Sequence, residues 1–292
     1  MKKKIKMLLL VLLAIMLSLT VVFAINNKKL DIISKDDTIS VENGYEKKEL
    51  YKNSIEIENI KIYLNEINVS HNNFENIKSY EVKDKINDLE LIEYSNDDFI
   101  LSVNKKTNEL RSYINNKTSF PKCNLSKNEV ESKAIELFST FKIKDKKDYI
   151  LNYVTKFDDE IWRANFVKSY DGLKNPGEAI NIAFAPTTNE IITLAIIKNE
   201  YNNNEIKISE EDALKIAQKY IKKSVTPKVK EVKIEIVKPN QMFKKVVENK
   251  MYKHINKMRK AYVIILENNS QIYVDITTGE ILGGDCMLGD EF

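Results

Sequence analysis

The sequence predicts an α+β protein of tandem modules, each with one helix packed on an antiparallel β-sheet, behind an N-terminal transmembrane or signal helix. Three observations predict this architecture: an apolar run near the amino terminus, two segments that begin with the same helix-start pattern, and short β-type runs after each of them. At 292 residues, 43% hydrophobic and 30% charged, the chain can form two or three small domains with buried cores.

The first 25 residues are typical of an export segment. Lysines at positions 2, 3, 4 and 6 precede an apolar run over residues 7–25, a pattern that directs the rest of the chain across the membrane. Val22-Phe23-Ala24 resembles a cleavage site, whereas the run approaches the roughly 20 residues that span a bilayer. We therefore expect an extracytoplasmic protein, either anchored in the membrane by residues 7–25 or secreted after cleavage near Ala24.

The charge of the chain excludes one class of partner. The formal net charge is +3, and the four lysines before the apolar run more than account for it. The remainder is close to neutral, whereas a nucleic-acid-binding protein needs a net basic face to engage phosphates. We expect no nucleic-acid partner.

The region before the repeated segments is divided in two by its composition. Residues 26–50 are polar and charged without sustained periodicity, which predicts a linker. Residues 51–118 contain the short apolar runs IEIENIKIYL, LELIEY and FILSV. These runs predict a degenerate, β-rich module without a strongly amphipathic helix.

Two further modules are predicted over residues 122–203 and 205–292. Each begins with a helical pattern and continues with strand-like runs, which are YILNYV, IWRANFV and INIAF in the first and VKIEIV, AYVIIL and QIYV in the second. A lone helix and a small sheet each expose an apolar face, so packing the helix across the sheet buries both.

The two helices start with the same local pattern. Ser126 and Ser209 are N-cap candidates, and each is followed three residues later by an acid, Glu129 or Asp212, as in a capping box. One face of each helix is apolar and is expected to be buried. These faces consist of Val130, Ala134, Leu137, Phe138 and Phe141 in the first helix, and Ala213, Ile216, Ala217, Tyr220 and Ile221 in the second.

The stretch VDITTGEI at residues 274–281 admits two interpretations, an acidic ion-binding loop and a turn. Its counterparts are SVNKKTNEL at residues 102–110 and AFAPTTNEI at residues 183–191. At the position of Gly279 both counterparts have asparagine, which also tolerates left-handed backbone. At the position of Asp275 they have Ala185 and Asn104, so a carboxylate is not a shared requirement. We expect a turn.

The chain offers few groups for catalysis or metal binding. Its only histidines, His71 and His254, are expected on the surface, and its only cysteines, Cys123 and Cys286, lack zinc-ligand spacing. The cysteines either form one disulfide after export or remain two reduced thiols. Such a set does not readily supply a nucleophile with its base or a metal with three ligands. We predict a non-enzymatic protein without catalytic, cofactor-binding or metal-binding residues.

A carboxylate hydrolase is the minor alternative. Asp158, Asp159 and Glu160 beside Trp162 resemble the acids and the sugar platform of a glycosidase. Three acids between two strands are more often an exposed hairpin turn, which is the interpretation we adopt.

Residues 241–260 form the predicted partner surface. They combine dense positive charge with an apolar stripe at helical spacing that ends at Met258. The candidate residues are Phe243, Lys244, Lys245, Lys250, Lys253, Lys257, Arg259 and Lys260. The segment either docks onto an anionic membrane, wall polymer or acidic protein, or is a solvated connection that covers the sheet.

One family resemblance is visible in the repeated segments. ISEEDALKIAQKY followed by AYVIILENNSQIYVDITTGEILGGD resembles the PepSY domain, a family named for peptidase propeptides and YpeB. The earlier IWRANFVKSYDGLKNPGEAINIAFAPTTNEI resembles related tandem units of bacterial envelope proteins. The resemblance spans residues 125–285 and brings no catalytic residues.

The resemblance implies a helix on an antiparallel sheet, export, and a role in binding and regulating an envelope peptidase or cell-wall hydrolase by inhibition or stabilisation. The alternative function is a surface-binding module that docks anionic lipid or wall polymer through residues 241–260.

Overall fold

A computed structural model describes residues 45–49, 57–71, 73–84, 89–219, 228–240 and 257–285. They form an α+β structure with antiparallel sheets and few helices, which confirms the predicted class. The predicted N-terminal export segment lies outside these residues. Among the helices of the described ranges, none has both the length and the apolarity needed to cross a membrane.

The chain divides into two compact units. The first unit comprises the described residues within 45–146, 151–165 and 180–196, and the second those within 147–150, 166–179 and 197–285. The described elements are, in chain order, β1 (Tyr45–Glu49), α1 (Ile57–Glu66), β2 (Lys78–Asp84), β3 (Leu89–Ser95), β4 (Phe99–Asn104), β5 (Leu110–Asn115), α2 (Lys127–Ser139), β6 (Tyr149–Lys156), β7 (Trp162–Tyr170), β8 (Leu173–Ala185), β9 (Glu190–Lys198), β10 (Glu200–Asn202), α3 (Glu210–Gln218), β11 (Val229–Val237), β12 (Lys257–Leu266), β13 (Gln271–Asp275) and β14 (Ile281–Asp285).

Nine strands form one sheet in the order β1-β2-β3-β4-β5-β9-β8-β7-β6. From β1 to β5 the strands pair antiparallel as a meander, and β5 then pairs antiparallel with β9, with Ser112 opposite Ala195. Strands from two predicted modules therefore share one sheet, where the sequence predicts a sheet for each. The pairing of β5 with β9 satisfies backbone N–H and C=O groups that would otherwise be unpaired at the edges of two separate sheets.

Helix α1 corrects the prediction that the region after the linker contains no amphipathic helix. Ile60, Tyr63 and Leu64 are buried at spacings of three and four residues, as on one face of a helix. The run IEIENIKIYL also alternates between apolar and polar residues, which is why it predicts a strand. Ile62, which fits the alternation but not the helical face, is 56% exposed.

Strand β1 corrects the end of the predicted linker. Residues 45–49 lie within the polar segment 26–50, yet they pair antiparallel with β2, with Lys47 opposite Val82. The strand has the sequence YEKKE. Because four of its five residues are charged, it lacks the apolar alternation by which strands are predicted. Charged strands of this kind are common at sheet edges, where β1 lies.

Helix α2 begins where the sequence predicts. The Glu129 N–H donates to Ser126 Oγ at 3.4 Å, and the Ser126 N–H donates to Glu129 Oε2 at 2.7 Å, so both halves of the capping box form. Hydrogen bonds from Ser126 hold the pKa of the Glu129 carboxyl below its ordinary value. The predicted apolar face is buried at Val130, Ala134, Leu137, Phe138 and Phe141.

The second unit has the predicted helix packed on an antiparallel sheet. Ser209 caps α3 by accepting a hydrogen bond from the Asp212 N–H at 3.1 Å. Ala213 and Ala217 of this helix pack into a cluster with residues of the sheet. A valine, leucine or isoleucine side chain contributes about 1.5–3 kcal/mol to folding stability when it is fully buried. The strand and turn residues of the cluster are Tyr262, Ile264, Leu266, Ile272, Val274, Ile276 and Ile281. Tyr220 and Ile221, the last predicted members of the helical face, lie outside the described residues.

Strand β12 is the centre of the second sheet. It pairs antiparallel with β11 and β13, and parallel with the short β10 through Glu200 opposite Lys257. Met258 therefore belongs to a strand, and its predicted place on a helical stripe is wrong. Its side chain is 1% exposed, since alternation along a strand can bury the same position that a helical spacing marks.

Candidate functional site in the first unit

The three matching loops are turns, as predicted. Asn108, Asn189 and Gly279 have φ angles of 55°, 56° and 72°, in the left-handed region. In the last turn the Gly279 N–H donates to the Asp275 carbonyl at 3.0 Å. A Cβ added at Gly279 would lie 2.9 Å from Cδ1 of Ile216, so packing as well as φ favours glycine there.

The Asp275 carboxylate is completely buried and engaged by protein groups. Its Oδ1 accepts hydrogen bonds from the N–H groups of Thr277 and Thr278, both at 2.8 Å. Its Oδ2 lies 2.9 Å from Arg259 Nε, as an ion pair rather than an aligned hydrogen bond. In the described part of the chain, no group of three or more His, Cys, Asp or Glu side chains is placed to hold a metal ion. Asp275 stabilises the turn and balances the charge of Arg259.

The acidic run at residues 158–160 is a hairpin turn between β6 and β7, as predicted. Asp158 Oδ1 accepts hydrogen bonds from the N–H groups of Glu160 and Ile161 at 2.8 and 2.7 Å. Asp159 forms an exposed ion pair with a lysine of the preceding strand. Trp162 is only 8% exposed, so its ring does not form a sugar platform on the surface.

Three residues of the predicted partner surface lie in β12, and each has an acidic neighbour. The pairs are Lys257 with Glu200 (3.2 Å), Lys260 with Asp171 (3.6 Å), and Arg259 with Asp275 (2.9 Å) and Glu280 (3.7 Å). The positive charge of these three residues is therefore balanced locally. Phe243, Lys244, Lys245, Lys250 and Lys253 lie outside the described residues, and the docking role of residues 241–260 stays a prediction.

Of the histidines and cysteines singled out from the sequence, the structure describes His71 and Cys123. Cys123 is buried in the first unit, whereas Cys286 and His254 lie outside the described residues. His71 is half-buried in a cleft, which corrects its expected surface position. This cleft is the candidate functional site.

The cleft has a volume of about 730 Å³ and lies within the first unit. Its walls come from the chain after α1, the β3–β4 turn, the end of β5, the last turn of α2 and the β8–β9 turn. Ligand sites typically have volumes of roughly 300–1,000 Å³. Its polar lining includes His71, Asp97, Asp98, Lys117, Asn189 and Glu190.

Backbone hydrogen bonds hold these walls together. Asn68 has a φ of 56° and follows α1, whose end is closed by the Val69 N–H donating to the Leu64 carbonyl at 2.9 Å. This left-handed residue turns the chain into the segment that carries His71. On another wall, the Asn116 N–H donates to the Asp98 carbonyl at 2.9 Å and so joins the end of β5 to the β3–β4 turn.

His71 and Tyr113 form a neutral pair in the cleft. The Nε2 atom of His71 lies 2.8 Å from the Tyr113 hydroxyl, and its ring packs 4.8 Å from that of Phe99. Burial lowers the pKa of His71, an effect that the Asp98 carboxylate opposes. Burial likewise raises the pKa of the Tyr113 hydroxyl, helped by Glu190 and Asp98. The pair presents hydrogen-bonding groups without charge at neutral pH.

Lys117 and Glu190 form a charged pair in the same cleft. The Lys117 ammonium donates to both carboxylate oxygens of Glu190, at 2.7 and 2.9 Å, and the Thr188 hydroxyl donates to one of them at 2.9 Å. The bond from Lys117 lowers the pKa of Glu190. Because this pair is internally balanced, the net charge that a ligand meets is set by the other side chains of the cleft.

Sequence reasoning did not find this cleft. The available signals were two asparagine-rich runs, NVSHNN from residue 68 and NNKT from residue 115, each directly after an apolar element. Asparagine is frequent throughout the chain, so these runs did not stand out. Which of them face each other depends on the pairing of distant strands.

Comparisons with known proteins give a distant likeness among solved structures. No protein-family model matches the chain, and no curated protein matches it. Among solved structures, the C-terminal domain of YpeB from Bacillus megaterium is a structural neighbour, with 12% sequence identity and a TM-score of 0.43. The match covers 80% of this chain and 97% of that domain. Membership of the PepSY family stays a prediction.

Proposed function

We propose that this protein is a non-catalytic, extracytoplasmic PepSY-like protein that binds and regulates an envelope peptidase or cell-wall hydrolase, by inhibition or stabilisation. The observation that carries the proposal is the packing of helix on sheet in the second unit. The stretch that resembles PepSY in sequence, residues 208–285, contains a helix packed on an antiparallel sheet through one apolar cluster. This arrangement is the one that the sequence resemblance implies.

The roles of the polar residues in this stretch support binding rather than chemistry. Ser209 caps a helix, and Asp275 holds a turn while balancing Arg259. In the first unit Asp158 holds the hairpin turn of the suspected acidic site. Side chains whose hydrogen-bonding atoms are engaged in this way stabilise backbone conformation and are poorly placed to act on a substrate.

The N-terminal segment supports an envelope location. Its positive start and apolar run direct the following chain to the outer side of the membrane, whether residues 7–25 remain as an anchor or are removed near Ala24. A partner would therefore be met in the envelope, and the His71 cleft is the candidate contact for it.

Photo-crosslinking in intact envelopes tests the proposal. A benzophenone amino acid replaces Ser70 at the exposed rim of the cleft in the full chain, and a matched replacement of the exposed Lys127 on α2 reports non-specific capture. We expect Ser70 to capture a peptidase or cell-wall hydrolase whose abundance or activity changes when the gene for this chain is deleted. Capture without any such enzyme, or an enzyme indifferent to the deletion, contradicts the proposal.

A further inference from the structure

We propose that the His71 cleft binds a cationic peptide segment, with a lysine or arginine side chain against Asp97 and Asp98. The proposal deepens the function given above and rests on it for the origin of the segment, which would be the partner enzyme. The affinity of the cleft for a cationic peptide does not depend on the partner enzyme and is measured on the purified protein.

The charges lining the cleft favour a cation. Its lining includes four carboxylates, Asp97, Asp98, Glu136 and Glu190, against one ammonium, that of Lys117. Lys117 is held by Glu190 at 2.7 Å, and Glu136 has an exposed ion pair with a lysine of its own helix at 3.1 Å. Within the described residues Asp97 and Asp98 have no ion-pair partner, so their two negative charges remain for a ligand.

Among the described residues that line the cleft, no free cation compensates for these two charges. His71 is the titratable group in the cleft that could become cationic near neutral pH, and burial keeps its pKa below the ordinary value despite the nearby Asp98. Burial raises the pKa of the neighbouring Tyr113, so its hydroxyl stays protonated. At neutral pH the other charges of the described lining, those of Lys117, Glu190 and Glu136, are therefore held in ion pairs.

A buried acceptor in the cleft points in the same direction. The Oδ1 atom of Asn189, one of the lining residues, is buried and receives no hydrogen bond from the described residues. A buried acceptor without a donor costs about 1–3 kcal/mol, which a ligand N–H group would recover once the Asn189 amide rotates towards the cleft. Lysine and arginine side chains carry N–H donors and no acceptor, so they suit both the oxygen and the aspartates.

The rim of the cleft suits a peptide backbone. Asn68 and Ser70 are exposed there and offer amide and hydroxyl groups beside the apolar side chains of Val69, Leu137 and Ile191. Such a mixture provides hydrogen bonds for an extended main chain and contact for alternate side chains. The volume of about 730 Å³ exceeds that needed for a single side chain.

Calorimetric titration of the purified full chain tests the proposal. The probes are acetylated, amidated tri-lysine and the corresponding tri-glutamine, compared at low and high salt. We expect saturable binding of tri-lysine that weakens with salt, and no comparable binding of tri-glutamine. Equal binding of the two peptides, or no binding of either, overturns the proposal.

Two double variants locate the site. Asp97→Asn with Asp98→Asn removes both free charges of the cleft and is expected to weaken tri-lysine binding by about tenfold, as for the loss of two weakly screened ion pairs. Glu75→Gln with Glu131→Gln removes the same charge from described positions that do not line the cleft, and is expected to leave binding unchanged. All four positions lie on the surface or are partly exposed, so both variants are expected to fold. Equal effects of the two variants overturn the proposal.

The outcomes separate this proposal from the proposed function. Failure of tri-lysine to bind the purified chain overturns the cleft assignment, whatever enzyme is captured in envelopes. Failure to capture an enzyme in envelopes contradicts the regulatory role, whereas tri-lysine binding to the purified chain does not depend on any partner.

Discussion

The three matching turns have different residues at one equivalent position, which are Asn104, Ala185 and Asp275. In the first turn Asn104 Oδ1 accepts hydrogen bonds from the N–H groups of Lys106 and Thr107, both at 2.9 Å. Asp275 makes the same two bonds in the last turn, whereas Ala185 has no side-chain oxygen to make them. The left-handed residue four positions later is common to all three. A carboxylate at this position is therefore dispensable for turning the chain.

Replacement of Asp275 tests its role in the turn. Asp275→Ala leaves two turn N–H groups and the partly buried Arg259 without their partner, and is expected to destabilise the second unit by roughly 3 kcal/mol. Asp275→Asn retains an acceptor, as Asn104 does, and is expected to cost less than half as much. Hydrogen exchange of residues 271–285 measures both values. An alanine variant no less stable than the asparagine variant contradicts this account.

His71 makes stability depend on pH. Burial lowers its pKa below the unfolded value of 6.5, against the opposing effect of Asp98. The folded chain therefore binds fewer protons at His71 than the unfolded chain does. The stabilisation is fully present above about pH 6.5 and is lost as pH falls from there through the folded-state pKa.

The His71→Gln variant isolates this effect. Glutamine can still hydrogen-bond to the Tyr113 hydroxyl but does not titrate. Between about pH 7 and about pH 5, we expect the wild type to lose more free energy of unfolding than the variant, as measured by urea denaturation. Parallel pH profiles of the two proteins would exclude a buried neutral histidine.

At the scale of elements, the helix starts were predictable and the sheet pairing was not. A capping box lies within four residues, so Ser126 and Glu129 identify the start of α2 from local sequence alone. The pairing of β5 with β9 joins segments far apart in the chain, and no local pattern encodes it. For α1 the local pattern was present but ambiguous, because its apolar residues fit both strand and helix periods.

The capping box of α2 has a measurable energy. Ser126→Ala removes the side-chain acceptor for the Glu129 N–H and is expected to destabilise the first unit by about 1 kcal/mol. Ser132→Ala is the matched control on the same helix. Its hydroxyl donates only to the Asn128 carbonyl one turn earlier, and alanine has the higher helix propensity. We expect this control to be neutral or stabilising.

Chemical denaturation followed by the fluorescence of Trp162 reports on the first unit, which contains the only tryptophan of the chain. If Ser126→Ala and Ser132→Ala have the same denaturation midpoint, the box contributes nothing to stability.

At the scale of the molecule, the sequence indicated the fold class but not the cleft. The repeated helix-and-strand pattern is a property of contiguous segments and can therefore be recognised in the chain. The cleft combines residues from positions 68 to 191, which only the folded sheet and helices assemble. His71 illustrates the limit, because it contacts Phe99 of β4 and Tyr113 of β5, which are distant in the chain.

We propose that polar residues of this protein shape its backbone and that its cleft contacts a partner enzyme. Titration of the captured peptidase or hydrolase with the purified full chain shows whether the protein regulates this enzyme. We expect the activity or the half-life of the enzyme to change saturably at a stoichiometric ratio, and we expect the Asp97→Asn, Asp98→Asn variant to require more protein for the same effect. An enzyme whose activity and half-life are unchanged at every ratio of the wild-type chain would contradict the account.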